Sequence, residues 1–98
     1  MKLVLHPRAE QERDAAVLWY AERSLSAAEG LVFLFARALE RIEAAPHLYP
    51  IDPLESRARR VRLATFPYAI IFSIHGETVR VLAFAHAKRR PGYWLGRM

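Results

Sequence analysis

Residues 57–94 read RARRVRLATFPYAIIFSIHGETVRVLAFAHAKRRPGYW, and the fold of the chain turns on how this stretch is parsed. From Arg59 to Thr65 the residues alternate, with Val61 and Leu63 on one face and Arg60 and Arg62 on the other, as on a half-covered strand. Tyr68 to Ile74 is apolar on both faces, the pattern of a central strand. His75-Gly76-Glu77 is a hairpin turn, and Val79 to Ala85 is the returning strand. Strand parity then places His86 on the same face as Arg80, Leu82 and Phe84. Residues Arg90 to Arg97 form one short helical turn or a tail.

The same stretch carries most of the charge. From Arg57 to Met98 there are nine Lys or Arg and one acid, Glu77, a net of +8; Met1 to Ser56 holds six bases and nine acids, a net of −3. The formal +5 of the whole chain therefore hides a strongly basic second half. A basic half with a sequence pI near 10.2 favours an anionic partner. Arg57, Arg59, Arg60 and Arg62 form one candidate binding cluster, because no acid lies between Glu55 and Glu77 to neutralise it. Lys88, Arg89 and Arg90 form a second, beside Tyr93 and Trp94, whose rings can stack on bases or tuck against the sheet. For Trp94 the core is the expected place.

Working outward to the N-terminus, Lys2 to Leu5 is a short strand candidate, and Pro7 suits a first helical position, where its missing N–H costs nothing. Residues 8 to 23 read as helix, with Ala9, Ala16, Leu18, Trp19 and Tyr20 as its apolar face. Ser26-Ala27-Ala28-Glu29 has the form of a capping box. Leu31, Leu34, Phe35, Ala38, Leu39 and Ile42 then make one helical stripe, which Pro46 ends. Residues 46–56 (PHLYPIDPLES) read as a loop. The expected fold is α+β: one domain over residues 1–98, in the order β-αα-βββ, a small mostly antiparallel sheet with a helical hairpin on one face. The partner of the first strand is left open.

The 98 residues contain no cysteine, which excludes disulfides and thiolate metal sites and makes a reducing cytoplasm the expected home. Apolar runs such as Leu31 to Ala36 are far shorter than a membrane span, so none is expected. His6, His47 and His75 sit singly in turns, and no spacing suggests a metal or other cofactor. Metal-free RNA cleavage needs a base, an acid and fixed positive charge around one phosphate. His86, Arg60, Arg62 and Arg89 could supply these if they converge.

The element order, with AAPHLYP at 44–50, RRVRL at 59–63, FPYAIIF at 66–72, VRVLAFAH at 79–86 and RRPGYW at 89–94, resembles the RelE/ParE toxin superfamily. The likeness spans the whole chain and lies nearest the ParE-like plasmid stabilisation branch. It implies a small cytoplasmic toxin encoded beside a cognate antitoxin that neutralises it. Some members cut mRNA, usually on the ribosome, and ParE proper poisons DNA gyrase. By the resemblance, Arg60 and Arg62 match the ribonucleases' basic strand, and His86 and Tyr93 sit near where such members keep a His, Lys or Tyr. If the chain is a ribonuclease, the candidate catalytic groups are His86, Arg62, Arg89 and Tyr93. The chain departs from the ribonucleases at Ala69, where they place an arginine, and its only lysines are Lys2 and Lys88. The departure favours an inhibitor that binds its target over a ribonuclease. A non-toxic, antitoxin-binding remnant is a third reading.

Overall fold

The computed structural model describes residues Met1–Met98. In chain order it has β1 (Lys2–Leu5), α1 (Pro7–Ala21), α2 (Leu25–Ala44), a 3-10 turn (Pro46–Leu48), β2 (Ile51–Asp52), β3 (Glu55–Arg62), β4 (Tyr68–His75), β5 (Thr78–His86) and a second 3-10 turn (Leu95–Arg97). The sheet order is β1-β5-β4-β3-β2. β1 runs parallel to β5, pairing Lys2 with Thr78 and Leu5 with Val81, and the other pairs are antiparallel. The expected α+β order therefore holds, with one addition. The 46–56 segment read as loop contains β2, a two-residue strand bulged against β3. No helix is long and apolar enough to cross a membrane.

The helical hairpin covers one face of the sheet. Leu31, Phe35 and Ile42 of α2 and Ala9 and Ala16 of α1 pack on Ile70, Phe72, Val79, Val81 and Phe84. Phe35 meets the Phe84 and Tyr68 rings edge-on at 4.8 and 5.9 Å between centroids. Two details of the helices differ from the sequence reading. The cap of α2 is Ser24, whose Oγ accepts the Ala27 N–H at 3.1 Å, so Ser26 lies inside the first turn and makes no capping box. Leu18 and Trp19 are 60% and 50% exposed, because the buried stripe of α1 runs through Ala9 and Ala16, and they fall on its flank.

The opposite face is not open. Ala58, Ala69, Ile71, Leu82, Ala83 and Ala85 are covered by the C-terminal tail, which lays Trp94 over them at 2% exposure. Trp94 thus takes the core position expected of it. A bulge decides which β5 side chains point which way. Ile71 faces Ala83 and Phe72 faces Val81, so Leu82 has no opposite number. Leu82 and Ala83 both turn toward the tail, and alternation restarts one residue out of step. Arg80 and Leu82 consequently share the tail face, whereas Phe84 and His86 are on the helix face. The common face expected for these four residues does not form.

Where β1 ends, β5 would present bare backbone groups at the sheet edge. Glu12 and Arg97 occupy that edge. Glu12 Oε1 accepts the Phe84 N–H at 3.0 Å, and Arg97 Nη1 donates to the Leu82 carbonyl at 3.0 Å. The two side chains also pair with each other twice, at 2.9 and 3.0 Å. This ties the first helix, the last strand and the tail at one point.

Candidate functional site

The arginines of β3 divide by strand parity. Arg60 and Arg62 stand opposite Ile71 and Ala69 on the tail face, while Arg59 pairs with Phe72 and turns to the helix side. Arg59 is absorbed by the fold: its Nη1 donates to the carbonyls of Tyr49 at 2.6 Å and His47 at 3.3 Å, fastening the 3-10 turn. Arg57 grips Glu55 of its own strand through Nε at 2.9 Å and Nη2 at 3.0 Å. That grip, with the Arg57 N–H, holds the Glu55 carboxyl at about 2. Arg60 reaches the buried Asp52 at 3.3 Å, and Asp52 also accepts the Leu54 N–H at 2.8 Å. Arg62 alone of the four makes no ion pair or side-chain hydrogen bond. It lines a hollow of about 240 Å³ with Arg60, Phe66, Pro67, Tyr68 and Ala69.

The second cluster is held differently. Nδ1 of His86 accepts the Lys88 N–H at 3.0 Å, which leaves the neutral ring's proton on Nε2. In that tautomer Nε2 is a hydrogen-bond donor. The ring stands perpendicular to Tyr68, centroids 5.1 Å apart. Arg89 stacks on Tyr93 at 3.9 Å. The Tyr93 hydroxyl donates to Glu12 Oε2 at 2.8 Å, and burial followed by that hydrogen bond pushes its pKa well above the usual 10.0. Lys88 and Arg90 are exposed and make no ion pair.

The structure gathers part of the expected catalytic set and leaves Arg62 apart. His86 is on the helix face and Arg62 on the tail face, and Tyr93 is bound to Glu12. A hollow of about 110 Å³ beneath the tail is bordered by His86, Arg89, Tyr93 and Arg60, with Arg60 engaged by Asp52 and Arg62 outside it. The strand pairing does bring the two basic clusters to one end of the molecule. Tyr68 faces His86, and Ala69 lies between Arg62 and Ala85, so Arg62 and Lys88–Arg90 border the same end of the sheet.

Two structural features escaped the sequence reading. One is Glu12, the anchor of the tail; it falls three residues after Ala9 and four before Ala16, and an acid on the buried stripe of a helix signals a buried partner. The other is a groove of about 500 Å³ between α1 and α2, lined by Val17, Leu18, Ala21, Val32, Ala36 and Leu39, with Leu18 and Val32 left to solvent. Its signal was present in the run Leu31 to Ala36, which is apolar all round rather than on one face.

Residues 3–91 match the family model described as "ParE toxin of type II toxin-antitoxin system, parDE". Among solved structures, the "Chromosomal ParDE TA system from P. aeruginosa" is similar, with a TM-score of 0.67 over 90% of this chain and 97% of that one. The sequence identity is 16%, so this likeness speaks to the fold. No curated protein matches the sequence significantly.

Proposed function

The chain belongs to the ParE toxin family of type II toxin–antitoxin systems, and on that footing we propose that it arrests growth by binding a cytoplasmic protein target. The target proposed is DNA gyrase, as in ParE proper. The observation that supports binding over RNA cleavage is that the would-be catalytic groups are engaged or set apart: Arg60 pairs with Asp52, Tyr93 with Glu12, and Arg62 lies outside the hollow that His86 borders. A metal-free cleavage site needs its base, acid and cations within hydrogen-bond reach of one phosphate. Here Arg62 stands on the tail face opposite Ala69, Nδ1 of His86 is taken by the Lys88 N–H, and the Tyr93 hydroxyl is bound to Glu12.

A cognate antitoxin is the proposed partner. The apolar groove between α1 and α2 and the uncompensated cations at the sheet end together suit an amphipathic, acidic segment. Expression of the chain alone in a bacterium is expected to stop growth, and co-expression of the antitoxin to restore it. Normal growth at high levels of folded protein would identify a non-toxic remnant instead. Two assays on the purified toxin decide the mechanism. Inhibition of gyrase supercoiling that survives His86→Ala is the expected result. Cleavage of mRNA on programmed ribosomes that drops about 100-fold in His86→Ala would overturn the binding reading in favour of a ribonuclease.

A further inference from the structure

A cleft of about 480 Å³ opens between α1 and the end of β5, and neither target binding nor the antitoxin groove gives it a task. Trp19, Tyr20, Tyr68 and Phe84 supply aromatic lining, and His86, Lys88 and Arg89 also border it. Trp19 is half exposed, with the Arg23 guanidinium over one face of its ring at 3.7 Å, so the other face is the one a ligand can meet. Glu12 is the one acid in the lining, and its oxygens are taken by the Phe84 N–H, Tyr93 and Arg97. The charge left for a ligand is therefore positive, from Lys88, which has no acidic partner, and from Arg89, whose only contact is the Tyr93 ring. The volume falls in the range of small-ligand pockets, roughly 300–1,000 Å³.

We propose that this cleft binds one unpaired base of a single-stranded nucleic acid, with the base among the aromatic rings and its phosphate against Lys88 and Arg89. A base within a duplex keeps its faces stacked and cannot enter such a cleft, whereas a single strand offers them. The stacking role that the sequence suggested for Tyr93 and Trp94 thus passes to Trp19, because Trp94 is under the tail and Tyr93 is tied to Glu12. The inference stands on the cleft alone, so gyrase inhibition and strand binding succeed or fail separately.

Trp19 is its own reporter, since Trp94 is shielded from added ligand. A short single-stranded DNA oligonucleotide titrated into the full chain is expected to quench Trp19 saturably. With a dye-labelled strand, Trp19→Leu should weaken binding about tenfold, within the range measured for removing a base-stacking aromatic. Lys88→Ala should weaken it less and lower the salt dependence by about one phosphate contact. Both side chains reach solvent, so both variants should fold. AMP should quench more weakly than the strand; equal quenching would overturn the strand as occupant and assign the cleft to free nucleotides. Equal binding of the duplex or of heparin, or unchanged affinity in both variants, would overturn the site itself.

Discussion

Replacing Glu12 by alanine should be among the most damaging single substitutions in the protein. Glu12 accepts from the Phe84 N–H, the Tyr93 hydroxyl and two Arg97 nitrogens, and the side chains of Arg97 and Glu12 are only 9% and 15% exposed. Removing the carboxylate strands a buried guanidinium, which costs about 3–5 kcal/mol. It also leaves the Phe84 N–H without a partner, a further ~1 kcal/mol that overlaps the first because the vacated space admits water. A loss of about 4 kcal/mol is a large part of the roughly 5–15 kcal/mol that holds a domain together. Urea denaturation followed by circular dichroism would show it as a lower midpoint at unchanged slope. The pair Glu12→Leu with Arg97→Met should cost less than its two singles combined, by at least about 2 kcal/mol. If Glu12→Ala loses under about 1 kcal/mol, or the double variant is merely additive, Glu12 does not anchor the tail.

Two further outcomes follow from the tail. Tyr93 has a pKa above the usual 10.0 in the fold, through burial first and its bond to Glu12 second. A raised folded value contributes stability that is full below about 10 and drains away as pH climbs through the unfolded value toward the folded one. Tyr93→Phe should flatten that alkaline decline in urea melts between about pH 9 and 12, with a residue remaining from Tyr68, whose pKa burial also raises. Gly92 adopts φ 76°, and a Cβ there would lie 3.0 Å from Cδ1 of Leu95. Gly92→Ala should therefore cost about 1–2 kcal/mol for the left-handed backbone, visible as a lower urea midpoint; no change would show that the turn refolds freely.

What could be read from the sequence was local. The α2 stripe, the turn at Gly76 and the strand alternation at Val61–Leu63 each depend on neighbours a few residues away, and each is found in the structure. The misreadings have equally physical causes. Ser24 and Ser26 both suit a cap, and the choice rests on the backbone at Ser24, φ −162°, which composition does not reveal. The bulge at Leu82 inserts one residue into an otherwise regular run, Val79 to Ala85, and so inverts every parity beyond it. That single residue separates His86 from Arg80. The division of Arg57 to Arg62 among Glu55, two backbone carbonyls, Asp52 and solvent was likewise hidden. It depends on where the 46–56 segment lies against β3.

The parallel pairing of β1 with β5 has a consequence for how the chain comes into being. Residues 2–5 find their partners only at residues 78–81, and Glu12 finds its own only at Phe84, Tyr93 and Arg97. At a synthesis rate of about 5–20 residues per second, the first strand waits roughly 4–15 s for the strand it joins. Throughout that interval β5 is missing from beneath the helices, and Leu31, Phe35 and Ile42 lack Val79, Val81 and Phe84 to pack with. A polypeptide interrupted before residue 78 has β2, β3 and β4 but lacks the strand that joins them to β1, and lacks the tail as well. The complete sheet, and any binding surface built on it, is then confined to chains extended through β5.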